Sequence, residues 1–69
     1  MNVIEHYIEE IYEETDVTAE FTSHVGHPPS EPLIRVDLLV NCYGVHERVQ
    51  TTFSNTDWKT VKAQGWYLA

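Results

Sequence analysis

The sequence has no lysine or arginine before Arg35, a single cysteine, three glycines, three prolines and no long apolar run. Each shortage excludes something. One cysteine cannot form an internal disulfide, and a chain without disulfides fits a reducing cytoplasm. No stretch approaches the about 18 apolar residues needed to span a bilayer, and the start lacks the basic-then-apolar layout of a secretory leader. There is no phosphate-binding loop, dinucleotide fingerprint, nucleophile elbow, calcium loop or paired Cys-x-x-Cys. The sequence therefore points to no enzyme and calls for no cofactor.

What is present is negative charge, and it is unevenly spread. Met1 to Glu20 carries seven carboxylates and no fixed base. Residues 35–69 hold three acids and four bases, so the formal net charge of −7 belongs to the first half. Such a surface repels phosphates, which argues against direct nucleic-acid binding, and steers the chain toward basic partners. Solubility alone is the plain alternative. With 69 residues and 42% hydrophobic content the chain fits one α+β domain spanning residues 1–69. A core of that size is marginal, and eight large aromatic residues help fill it.

Asn2 and Glu5 read as a capping box, after which Val3, Ile4, Tyr7, Ile8 and Ile11 share one side of a 3.6-residue helix. Its other side shows Glu5, Glu9 and Glu13, with Glu10 and Glu14 at the border. The helix is expected to stop near Thr15 or Asp16. Val17 to Val25 alternates as a half-buried strand would. Gly26 to Pro32, with three prolines, is a loop.

Leu33 to Cys42 and Val45 to Phe53 alternate cleanly around a two-residue turn at Tyr43-Gly44. Counting out from the turn pairs Cys42 with Val45, Val40 with Glu47, Leu38 with Val49, Val36 with Thr51 and Ile34 with Phe53. The apolar face of this hairpin would receive the first helix. Ser54 with Asp57 marks the start of a second helix, which packs Trp58 and Val61 inward and ends at Gly65. Trp66-Tyr67-Leu68 follows as an apolar tail that could be a short edge strand or a contact patch. The expected fold is a three-stranded antiparallel sheet, one hairpin plus one strand, packed by an acidic N-terminal helix and a short C-terminal helix.

Two constellations carry ligand-type side chains. His24, His27, Cys42 and His46 are zinc-type residues, yet Cys42 and His46 fall on opposite faces of the hairpin, which also separates them as a nucleophile and base. Glutamate pairs such as Glu9 and Glu13 could in principle do acid/base work, but on the outside of a helix they would keep ordinary acidity.

The leading function is a non-enzymatic acidic binding protein that occupies a basic, nucleic-acid-binding surface of a partner protein. Its expected contacts are Glu5, Glu9, Glu10, Glu13, Glu14, Asp16 and Glu20, with Trp66 and Tyr67 as aromatic anchors. The alternative is a small structural accessory protein, a homodimer joined through its tail and hairpin edge.

Leu33-Ile34-Arg35-Val36, the hairpin through Phe53 and the run Val61-Lys62-Ala63-Gln64-Gly65-Trp66 resemble small phage-encoded acidic inhibitors of the anti-CRISPR type. The resemblance implies a DNA mimic that covers the DNA-reading surface of a type II CRISPR nuclease inside a bacterial host cell. It covers the second half of the chain, whereas the acids lie in the first, so no contact residue is carried over.

Overall fold

The computed structural model describes residues 3–69. Chain order is β1 (Glu5–Asp16), α1 (Thr18–Val25), β2 (Leu33–Cys42), β3 (Val45–Ser54), α2 (Asn55–Gln64) and β4 (Trp66–Leu68). The strands form one antiparallel sheet in the order β3-β2-β1-β4. The expected three-stranded sheet under an acidic N-terminal helix is thus corrected to four strands and two helices. The first acidic segment is a strand, and the expected strand over Val17 to Val25 is the first helix. Asn2, expected to cap a helix, lies outside the described residues.

The acidic segment imitates a helix in sequence because β1 carries two irregularities. Its pairing with β2 matches Ile8 to Val40, Ile11 to Leu38 and Glu14 to Val36, with register shifts between Ile8 and Glu10 and between Ile11 and Glu13. Each shift sets two β1 residues against one of β2, the arrangement of a β-bulge. Residues 8, 11 and 14 therefore face the same way although a regular strand repeats every two. A spacing of three is what a helical stripe would also show.

The β2-β3 hairpin follows its sequence pattern. All five pairs counted from the turn are present, from Cys42 opposite Val45 to Ile34 opposite Phe53. Both turn residues have positive φ, 51° at Tyr43 and 83° at Gly44, which suits the twist of a two-residue hairpin. The even-numbered side of β2 is the floor of the core. Val36, Leu38 and Val40 are fully buried there with Trp58, Val61 and Tyr67, and Ile8, Ile11, Ile34, Val49 and Phe53 pack around them. The hairpin receives α2, not the N-terminal segment. Phe53 stacks on Trp58 and meets the edge of Tyr67.

The ends of α2 are fixed as its sequence suggests. Ser54 Oγ accepts from the Asp57 N–H, and Gly65 closes the helix at φ 85° with its N–H on the Val61 carbonyl. A further support comes from the proline loop. Glu31 Oε1 accepts from the Thr56 N–H at 2.7 Å, and the Pro32 carbonyl accepts from the Asn55 N–H at 2.8 Å. A carboxylate is well placed against the exposed N–H groups of a helix start. After Gly65 the tail returns as β4 beside β1, matching Glu5 to Leu68, His6 to Tyr67 and Tyr7 to Trp66.

α1 forms where alternation suggests a strand; its N-cap, Val17, makes no side-chain cap bond, and its first turn is tied instead to the last residue of β1. Asp16 Oδ1 accepts from the Thr18 N–H at 2.9 Å, and Gly26 ends the helix in the left-handed region. The helix buries none of its own residues fully and stays at one end of the sheet. No helix among the described residues is long and apolar enough to cross a membrane.

Candidate functional site

The sheet has two unlike faces. α2 covers the even side of β2; the odd side, bearing Arg35, Asp37, Leu39 and Asn41, has only α1 at its far end. The bulges load that second face. Glu9 and Glu10 stand against Leu39, and Tyr12 and Glu13 stand against Asp37, so β1 presents two residues per rung where a regular strand presents one. Contacts fix where they point. Glu9 Oε1 accepts from Asn41 Nδ2 at 3.0 Å, and His46 Nδ1 lies 3.0 Å from Glu9 Oε2. The Arg48 guanidinium lies over the Tyr12 ring, 4.4 Å from its centroid, and donates two bonds to Asp37 at 3.0 and 2.8 Å.

The eleven acids of the chain are therefore not equivalent. Glu5, Glu9, Glu10, Glu13 and Glu20 are exposed, the first four on β1 and the last on α1. Glu20 is 3.5 Å from Arg35. Others are committed to the fold. Glu14 faces α2, where it accepts from Trp58 Nε1 at 2.6 Å and from Lys62 Nζ at 3.0 and 3.2 Å; these bonds hold its carboxyl below the usual range. Bonds from the Thr18 hydroxyl and N–H lower Asp16 in the same way. The Thr56 N–H lowers Glu31, and the Arg48 fork lowers Asp37.

Of the residues expected at an interface, the structure brings Glu5, Glu9, Glu10, Glu13 and Trp66 to the uncovered face. It places Glu14 against α2, Asp16 at the start of α1 and Tyr67 in the core at 8% exposure. Tyr67 stacks on His6, and burial raises its phenol. The sequence gives no interface role to Tyr7, Tyr12 or Tyr43, which are 48%, 44% and 83% exposed. The signal for Tyr7 and Tyr12 was hidden with the bulges, since a helical reading puts Tyr7 in the apolar stripe. The Tyr7 hydroxyl donates to Glu5, which raises the phenol pKa above its ordinary value, because the bond holds the protonated phenol and the carboxylate repels a phenolate.

The face ends in a depression of about 830 Å³ between α1 and the sheet, lined by Val17, Phe21, His24, Leu33, Arg35 and Thr52 among others. His24 and His27 lie at the end of α1 and beyond it, Cys42 is half-buried on the α2 side, and His46 is on the uncovered side. Among the described residues, no three metal-ligating side chains come together. Comparison with protein-family models, curated proteins and solved structures returned no match.

Proposed function

We propose that the chain is a non-enzymatic binding protein whose uncovered, acidic sheet face covers a basic surface of a partner protein, one that otherwise holds nucleic acid. The observation that supports this reading is the doubling of outward side chains along β1. Glu9 with Glu10 at one rung and Tyr12 with Glu13 at the next, roughly 7 Å further along, make a short ladder of negative charge on a rigid strand. Carboxylates so placed can meet arginine and lysine clusters through charge-assisted bonds, as phosphates do. A partner of the CRISPR-nuclease class, met in a bacterial cytoplasm, is the one that the sequence resemblance suggests.

The test is binding of target DNA by a guide-loaded type II CRISPR nuclease, with and without the protein. The expected outcome is loss of DNA binding that recovers at high salt and is absent with the Glu9→Lys, Glu10→Lys, Glu13→Lys triple variant. DNA binding that is unchanged at every salt concentration would remove this partner class. A second reading, a homodimeric accessory protein, draws on the outer edge of β3, which runs from Val45 to Ser54 at the margin of the sheet. Solution mass separates the two: a stable dimer favours the accessory reading, and a monomer favours the acidic ligand.

A further inference from the structure

On its uncovered face the molecule already binds one arginine. Arg48 lies on the Tyr12 ring and is held at both forks by Asp37, so the cation meets an aromatic surface and a carboxylate together. The same two kinds of surface recur two rungs away without an arginine. Tyr7 is paired across the strands with Trp66, so the register puts both residues on the uncovered side of the sheet. Glu5, the next outward residue of β1, accepts the Tyr7 hydroxyl and has no basic partner among the described residues. Nearly half of Tyr7 is exposed, far more than a ring placed for packing needs.

We propose that Tyr7 and Glu5, with Trp66 on the adjoining strand, receive one arginine side chain of the basic partner, its guanidinium lying on the exposed Tyr7 ring and bonding to the Glu5 carboxylate. This rests on the acidic-face reading and adds a specific contact to it. The occupant is arginine in preference to lysine because a planar guanidinium can stack and donate a fork at once, whereas an ammonium acts as a compact charge. The charge of the site and that of the ligand are complementary, and Arg48 on Tyr12 and Asp37 is the molecule's own example of the geometry.

The experiment compares an oligo-arginine and an oligo-lysine peptide of equal length, fluorescently labelled, binding to the full chain by polarisation. The expected result is arginine binding about threefold to fivefold tighter, lost in Tyr7→Leu and kept in Tyr7→Phe. Both peptides should still bind Tyr7→Leu with equal, salt-sensitive affinity through Glu9, Glu10 and Glu13. If Tyr7→Leu has no cooperative melt, Trp66→Leu serves for the same comparison. Equal binding of the two peptides to the unaltered protein, or a preference that survives loss of the ring, overturns this inference and leaves the acidic-face reading standing. Failure of both peptides to bind overturns both.

Discussion

Glu14 and Trp58, 44 residues apart in sequence, are joined by a 2.6 Å hydrogen bond from the indole N–H to the carboxylate. The bond ties the third inward position of the bulged strand to α2, and Lys62, 5.8 Å from the centroid of the same indole, completes the contact. A carboxylate that sequence alone assigns to a partner thus closes the rim of the core.

Glu14→Gln should lower stability by about 1 kcal/mol at neutral pH, a modest value because the carboxylate is partly solvated. The folded state holds the Glu14 carboxyl below its ordinary value of 4.5. Its contribution is thus fully present above that pH and is lost as pH falls through the lowered value. Melting curves should show the gap between the two proteins closing below about pH 4.5. A gap that widens on acidification would contradict the assignment.

The bulges make an unusual deletion tolerable. Removing Glu9 turns Ile8-Glu9-Glu10-Ile11 into plain alternation and keeps both isoleucines on the α2 side. Removing Leu39 from the unbulged β2 would turn part of that strand inside out. Thermal melts should show a cooperative transition for the first variant and none for the second. Comparable loss of folding in both would argue against the bulged register.

Gly65→Ala should cost about 1 kcal/mol, because φ at this position is 85° and any side chain is strained there. Space is not the obstacle, since nothing lies near an added Cβ. The Gly65 carbonyl also accepts from the Ile8 N–H, so strain at this residue bears on the β1-β4 junction. Chemical denaturation measures the cost, and an unchanged midpoint would contradict the strain.

These cases show which parts of the fold were legible in the sequence. The hairpin was readable because alternation, a turn glycine and equal arms all specify one register. α2 was readable from Ser54 at its start and Gly65 at its end. β1 was not, because each bulge residue adds one to the inward repeat and converts a strand period into a helical one. α1 was not, because its N-cap is Val17, which offers no side-chain cap, and the bond to its first N–H comes from Asp16, which the helical reading had placed at the end of another element. The charged face followed the same course. Its acids were visible at once, but the division between Glu10 and Glu13, free of distant partners, and Glu14 and Glu31, bonded to α2, depends on tertiary contacts.

Charge reversal should separate those two groups. Glu10→Lys and Glu13→Lys should leave the melting temperature nearly unchanged, since neither accepts a bond from a distant element, while each weakens binding of an arginine-rich peptide several-fold. Glu14→Lys should place a cation beside Lys62 and the Trp58 N–H and lower the melting temperature. Peptide binding measured alongside thermal melts checks both halves. Equal stability loss in all three variants would contradict the division.

The most direct test of the central claim is an amide chemical-shift titration of the protein with an arginine-rich peptide. The account predicts perturbations concentrated on Tyr7 to Glu13 and on the facing residues Leu39 and Asn41, fading as salt is raised. Perturbations centred on α2, or none at low salt, would contradict the claim that the uncovered face of β1 is the binding surface.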